Sequence, residues 1–426
     1  MSSGMTDAGQ GASPLVTAQQ RAAETRALRL VEHPAVRSAR ETARLRLLAD
    51  PVAQRPDGRL GLDRALDQWV LALAMRVAND DPFRPAAVWN VYNPARTWFG
   101  HTYPGAAVAI DNPDNVNREI PIDGASAYAI RGRYGARPGQ FTIEIVADFD
   151  NSHAGLGRTL SALTSQQIKA DADGSFTITV DTAEAGTRSN HLRSEPGRLW
   201  VFARDSLPDW TQTPVALTVE RLDGPDAPPA RGEDALVEAI VAAMPGWVGF
   251  WCGFKDDFLG YPEPNRLIGP LGRPGGWGFL AGGRFAIAGD EAVVVTTIDG
   301  QANYTGFQVS DPWTISPDPV FRLASLNRTQ ARADEDGTYT YVLSSRDPGV
   351  HNWIDSCGLS EGWMMLRWQG VPPGADPKTL IKTVRLVRLD ELADALPRNT
   401  HTVDLAGRSR QIAARIATHG LRTAEA

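Results

Sequence analysis

The stretch "DEDGTYTYVLSSRDPGVHNWIDSCGLSEGWMMLRW" (Asp334–Trp368) decides the fold, because the chain carries nearly the same text earlier, as "DADGSFTITVDTAEAGTRSNHLRSEPGRLWVF" (Asp171–Phe202). Each copy has an Asp-Gly pair, at Gly174 and Gly337, opening a strand of alternating apolar residues: Phe176, Ile178 and Val180, then Tyr339, Tyr341 and Leu343. An asparagine follows in each, Asn190 and Asn352, then a glycine-led apolar strand reaching Arg204 or Arg367, then "RLD" at Asp223 and Asp390. Asp148 and Asp311 precede the two glycines by the same interval. So ordered a set of matches reads as duplication. Asp-Gly suits a type I′ turn, in which both central residues take positive φ.

Working outward, glycine, proline and asparagine punctuate short alternating runs from Ala86 onward, the pattern of antiparallel strands. "SAYAIRGRYG" and "QFTIEIVADF" look like a hairpin around Pro138-Gly139. The expected fold class is α+β, mainly β: two related antiparallel β-sandwich or barrel-like units with N-terminal, linker and C-terminal helices. Residues 1–14 are expected to be disordered, 15–80 helical, 85–223 the first β unit, 224–246 a linker and short helix, 247–390 the second β unit, and 391–426 a helical tail. Leu62, Leu66, Trp69, Val70 and Leu73 share one helical face within 62–78.

At 426 residues, two domains are the default expectation. The formal net charge of −7 argues against a nucleic-acid partner. Two cysteines, Cys252 and Cys357, exclude a disulfide framework and a four-cysteine zinc site; reduced thiols are expected. No window approaching 18 apolar residues is apparent and "MSSGMTDAGQGASP" does not read as a signal peptide, so a cytoplasmic protein without a membrane span is expected. Tryptophan-rich strands allow a homo-oligomer.

Chemistry is expected in the second copy, where "RDPGVHNWIDSCG" concentrates functional groups. Asp355 and His351 make a candidate acid/base pair, Arg367 a candidate anchor for a carboxylate or oxyanion, and Tyr304 a nearby candidate catalytic group. Trp313 and Trp353 could wall an apolar pocket and Asn352 could contact the ligand. The ordinary structural alternative is a turn at Asp347-Pro348-Gly349, with Asn352 bonded to backbone, Trp353 plugging the core and Asp355 paired with Arg367. A second cluster gathers His101, Tyr103, Asp111, Asp114 and Arg118, and a glycine-rich run at 269–283 could form a lid carrying Trp277 and Phe279. That run lacks the nucleotide-binding spacings, and no metal motif or GxSxG elbow is present, so no cofactor and no metal are expected.

"YTGFQVSDPW", "SLNRTQARADEDGTY", "DPGVHNWIDSCG" and "GWMMLRW" resemble a bacterial family known as domain of unknown function (DUF) 1214, over residues 285–390. Asn352-Trp353-Ile354 matches the family's Asn-Trp-Leu element, and Arg367-Trp368 its Arg-aromatic strand. "NPDNVNREIPIDGASAYAIRG" is similar to the DUF1254-like domain that often precedes it, with Asn117 where that domain usually carries a tyrosine. The resemblance implies enzymes or accessory proteins of lipid, steroid or terpenoid metabolism. The expected function is a cofactor-independent enzyme acting by acid/base chemistry on an apolar or amphipathic small molecule. The alternatives are a non-catalytic small-molecule-binding or assembly protein, and a carbohydrate-binding or carbohydrate-cleaving one.

Overall fold

Trp69 sits fully buried in the longest N-terminal helix and anchors the helical layer of the protein. The structure is a computed structural model that describes residues 12–92, 94–135, 139–147, 157–260, 262–273 and 276–425. Asp148, Pro138 and residues 1–11 of the expected disordered stretch lie outside the described residues. Residues 12–14 are ordered: the Ser13 amide donates to the carbonyl of Ala424 at 2.9 Å.

Three helices come first, α1 (Ala18–Val31), α2 (Pro34–Leu47) and α3 (Pro56–Ala78). The five apolar residues singled out in 62–78 are all buried. α3 starts earlier than the spacing predicts, because Pro56 is pre-set for a first helical turn. Gly58 permits the close approach of that turn to the Val52 carbonyl, where a Cβ would lie 2.0 Å away.

The first β unit comprises β1 (Val88–Val91), β2 (Arg96–Trp98), β3 (His101–Tyr103), β4 (Asn115–Asp123), β5 (Ala127–Arg133), β6 (Gln140–Ala147), β7 (Arg158–Thr164), β8 (Ser175–Asp181), β9 (His191–Arg193), β10 (Arg198–Ser206) and β11 (Ala216–Asp223). After α4 (Glu233–Leu259) the second comprises β12 (Ile268–Gly272), β13 (Gly278–Ala286), β14 (Glu291–Thr297), β15 (Tyr304–Ser310), β16 (Ser325–Asn327), β17 (Tyr339–Ser344), β18 (Trp353–Asp355), β19 (Glu361–Gln369) and β20 (Ile381–Arg388). Short α5 (Leu392–Ala395) and longer α6 (Leu405–Gly420) follow.

The two units have one topology. A five-stranded sheet runs β1-β4-β10-β6-β7 in the first and β12-β13-β19-β15-β16 in the second. Its four-stranded partner runs β11-β5-β8-β9 and β20-β14-β17-β18. Setting aside the β2–β3 hairpin, every strand has its counterpart in chain order, including a parallel pair in each unit, β8 with β9 and β17 with β18. Each unit is thus an open two-sheet sandwich, and among the described residues no sheet closes into a barrel. Ile120, Ile130, Ile143 and Val201 fill one core; Val293, Phe307, Val342 and Leu366 fill the other. β5 and β6 belong to opposite sheets, so the hairpin expected between them is instead a crossing from one layer to the other.

The duplicated asparagines do the same work. Asn190 accepts from the Lys169 amide at 2.9 Å and donates to its carbonyl at 2.8 Å; Asn352 treats Arg332 likewise at 2.8 and 2.7 Å. Gly174 and Gly337 occupy equivalent positions, each at φ 81°. The turn type differs from expectation. Asp173 and Asp336 keep negative φ, and only the glycine is left-handed, as in a type I turn followed by a bulge. Gly337→Ala is expected to cost about 1–2 kcal/mol through φ alone, since nothing lies within 4 Å of the new methyl. A lowered urea midpoint checks this; an unchanged midpoint contradicts it.

α4 is more than twice the length read from the sequence. Pro245 lies inside it at an exposed position, so the helix continues where the proline and Gly246 suggested an end. Its segment Glu233–Asp257 is long and apolar enough to cross a bilayer, which corrects the expectation that no such window exists. Here it packs against α2 and α3, with Leu236, Ile240, Met244 and Trp247 buried among them. Both cysteines are free thiols, as expected.

α6 docks through His419, whose ring stacks on Tyr92 at 5.5 Å and whose Nε2 lies 2.8 Å from the Tyr92 hydroxyl. Burial, with Arg422, Arg415 and Arg96 nearby, holds its pKa well below 6.5. The unfolded chain binds that proton first, so stability is complete above the unfolded value and falls as pH drops below it. The melting temperature is expected to fall between pH 7.5 and pH 5, and His419→Gln to flatten the decline; an identical decline in the variant contradicts the assignment.

Candidate functional site

The groups expected to work together in the second unit are held apart. Asp355 is buried and accepts from Arg322 Nε at 2.6 Å and from the Cys357 amide at 2.7 Å. His351 bonds elsewhere, with Nε2 3.1 Å from the Gln330 carbonyl and Gln411 Nε2 alongside its ring. Burial lowers its pKa. Asn352 clamps backbone, also donating to the Thr340 carbonyl, and Trp353 donates to the Ser344 carbonyl at 3.2 Å beneath the Arg408 guanidinium. Asn352 and Trp353 thus take the ordinary structural roles, but the structural partner of Asp355 is Arg322 and not the expected Arg367, which lies against Gln308 and Ile110. The expected acid/base pair is not formed, because each partner is saturated by its own neighbours.

Tyr304 donates to Asp114 Oδ2 at 2.7 Å and accepts from Asn112 Nδ2 at 2.8 Å. Asp114 also receives Trp210 Nε1 at 2.6 Å and Asn327 Nδ2 at 2.9 Å. This network stitches the β3–β4 connection to the second unit. Burial, reinforced by the Asp114 charge, raises the Tyr304 pKa well above 10. Trp313 packs edge-on to Trp69 at 6.2 Å and donates to the Gly58 carbonyl, so it joins the helical core and walls no ligand pocket. His101 lies 3.4 Å from Glu24, and Tyr103 is one of four rings around Arg96. Arg118 forms a buried ion pair with Asp205.

Arg367 and Trp277 lead elsewhere. Along β10 and β19, alternate residues face the sandwich cores; the others, Phe202 and Arg204 in one strand, Met365 and Arg367 in the other, face a cavity of about 780 Å³ between the two five-stranded sheets. Trp247, Trp251 and Phe254 of α4 line part of its wall, joined by Ile110, Leu271 and Leu280. Asn112, Asn115, Asn117 and Glu144 line it as well, and three guanidiniums meet beside the apolar wall. Arg367 donates to the Gln308 side chain and to the Ile110 carbonyl at 2.8 Å. Arg204 is oriented by Nε donating to Asn117 Oδ1 at 2.9 Å. Arg273, on the turn between β12 and β13, shares the Trp277 ring with Arg204, at 4.5 and 5.2 Å from its centroid. Among the described residues none of the three forms an ion pair with a carboxylate, and Arg273 Nε is buried without a partner. Burial first, then Arg204 and Arg367, push the Arg273 pKa down to about 9, so it remains charged at neutral pH. Glu144 and Asp111 are the lining carboxylates that act on the cluster from a distance.

The site was half legible. The sequence points to Arg367 directly, whereas its counterpart Arg204 looks there like the end of a strand and Arg273 like one residue of a glycine-rich run. The available signal was the repeat itself, which puts an arginine at the same place in two otherwise apolar strands. A second, more open cavity of about 480 Å³ beside α3 contains Asp311, whose carboxyl burial raises to about 7. The Asp311 carboxylate caps the amides of Trp313 and Ile315, which accounts for its place.

Neither a protein-family model nor a curated protein matches the chain. Among solved structures it is similar to an uncharacterised protein from Burkholderia cenocepacia, at 23% identity and TM-score 0.71, over 86% of this chain and 99% of that one. It also aligns with a protein from Vibrio parahaemolyticus at 11% identity and TM-score 0.42, over 66% of this chain and 90% of that one. The first likeness shows the fold.

Proposed function

We propose that the protein binds an anionic amphipathic small molecule in the cavity between its two β units. The observation that carries this is the convergence of Arg204, Arg273 and Arg367, without an ion-paired carboxylate among the described residues, on a space where aromatic and aliphatic side chains from α4, β12, β13 and β19 meet a polar wall that includes Asn112, Asn117 and Glu144. Buried charges are normally paired, and an apolar pocket with a few convergent polar groups is the usual form of a ligand site. The volume suits a ligand of drug or lipid-fragment size. The resemblance to DUF1214 and its link to lipid, steroid or terpenoid metabolism agree with such a ligand, and Arg367-Trp368, one of its motif elements, lies on a strand lining the cavity. An acid/base enzyme centred on Asp355 and His351 would need both at one ligand atom, and each is engaged elsewhere, so binding is the better-supported role.

Anilinonaphthalene sulfonate, an apolar anion, is expected to bind saturably with one molecule per chain. Energy transfer from Trp247, Trp251 and Trp277 should quench tryptophan emission as it binds. Absence of saturable binding, or equal competition by a cationic amphiphile and an anionic one, contradicts the proposal.

A further inference from the structure

The cap that Asp311 provides to the Trp313 and Ile315 amides uses Oδ1 alone. Its other oxygen, Oδ2, makes no hydrogen bond among the described residues, although the residue is only 3% exposed. Buried polar atoms are normally hydrogen-bonded and buried charges normally paired, so an oxygen in this position calls for a partner. Room for one exists. Asp311 lines the cavity of about 480 Å³ beside α3, which shares no lining residue with the cavity between the two five-stranded sheets. Gly61, on the α3 wall of that smaller cavity, faces the open oxygen: a Cβ there would lie 3.1 Å from Oδ2.

The surroundings narrow the chemistry of that partner. The charged and titratable groups around the cavity are Asp57 and Arg64 on α3, Asp318 and Arg322 on the β15–β16 connection, and Cys357 on the β18–β19 turn. Each is engaged with the protein. Asp57 accepts from the Ser360 and Glu361 amides, Arg64 donates to the Ser316 carbonyl, Asp318 caps Val320 and Phe321, and Arg322 pairs with Asp355. Cys357 Sγ lies 3.5 Å from the Asp355 carbonyl. Burial raises the Asp311 carboxyl to about 7, against the pull of Arg64, so near neutral pH a proton shares Oδ2 with nothing else in the protein. A ligand displaces that proton best by bringing both a positive charge and an N–H donor. Among the described residues no group of three or more His, Cys, Asp or Glu is set to hold a metal ion, which favours an organic cation held by one carboxylate. Leu60, Pro104, Pro317 and Leu359 give the same cavity an apolar wall.

We propose that this cavity is a second ligand site, taking a primary ammonium ion on a short apolar stem, with an N–H donating to Asp311 Oδ2 and the stem against Leu60, Pro317 and Leu359. It is independent of the anion site between the sheets and has the opposite charge preference.

The test is calorimetric titration of the full chain with hexylammonium and with hexanol, at pH 6 and at pH 8. An alkylammonium keeps its proton across that range, whereas Asp311 passes from mostly protonated to mostly ionised. Proton and ligand compete for one oxygen, so hexylammonium affinity is expected to rise about tenfold from pH 6 to pH 8. At pH 8 it should exceed that of hexanol by about tenfold, the scale of a charge-assisted hydrogen bond. Asp311→Asn keeps the Oδ1 cap and loses the charge; it is expected to weaken hexylammonium about tenfold at pH 8 and to remove the pH dependence. Gly61→Ala leaves Asp311 in place and covers Oδ2, and the same loss is expected; this variant decides the matter if Asp311→Asn folds poorly. Affinity that is flat or falls between pH 6 and pH 8, hexanol binding as tightly as hexylammonium at pH 8, unchanged affinity in either folded variant, or no binding of the amine overturns the inference.

Discussion

Replacing Arg96 with alanine is expected to lower the free energy of unfolding by about 3–5 kcal/mol, the usual consequence of leaving one member of a buried ion pair alone. Arg96 and Glu24 are both buried and paired. Glu24 also accepts from Trp98 Nε1 at 2.6 Å and Gln20 Nε2 at 2.9 Å, so α1 is fastened to the β2–β3 hairpin through a single carboxylate. The guanidinium lies over Trp89, Tyr92, Trp98 and Tyr103, each 4.2–4.7 Å from the ring centroid. Truncation removes the counter-charge and opens a void among four rings. Urea unfolding reads the loss. The double variant Arg96→Ala with Glu24→Gln should recover part of it, because the stranded charge is gone. A loss under about 1 kcal/mol in the single variant would assign the pair no more weight than a surface bridge.

The second large effect concerns affinity. Arg204→Ala is expected to weaken anilinonaphthalene sulfonate binding on the order of 100-fold, the scale for removing one charged partner of a buried hydrogen-bonded pair. Arg204 lies on the cavity face of β10, and its only side-chain hydrogen bond among the described residues is to Asn117, so the fold loses little when it is shortened. The paired outcome to look for is a large fall in affinity with a nearly unchanged urea midpoint. Affinity within threefold of the parent would mean that Arg204 holds no ligand.

The repeat was readable because its markers are local. Gly174 and Gly337 need a left-handed backbone, and Asn190 and Asn352 each clamp one backbone residue twenty or so positions upstream. Such constraints survive in sequence while packing residues drift. The turn type is not legible in an Asp-Gly pair, which does not show whether the aspartate or only the glycine has positive φ. The full length of α4 is hidden because a proline such as Pro245 ordinarily signals a helix end, although an exposed helix position tolerates it here. The site was harder. Asp355 and His351 are close in sequence, but a short parallel strand beside β17 gives them different neighbours. Alternation along β10 and β19 says that Arg204 and Arg367 share a face with Phe202 and Met365. It does not say that the two faces look at each other across one space, which depends on how the duplicated sandwiches pack around α4.

The most direct measurement is a crystal structure of the protein with 12-bromododecanoate, locating the bromine by its anomalous signal. The predicted result is one bromine site inside the inter-unit cavity, against Trp251, Phe254 and Leu280, with the carboxylate among Arg204, Arg273 and Arg367. A bromine site elsewhere with the inter-unit cavity unfilled, or a carboxylate seated away from all three arginines, would contradict the account.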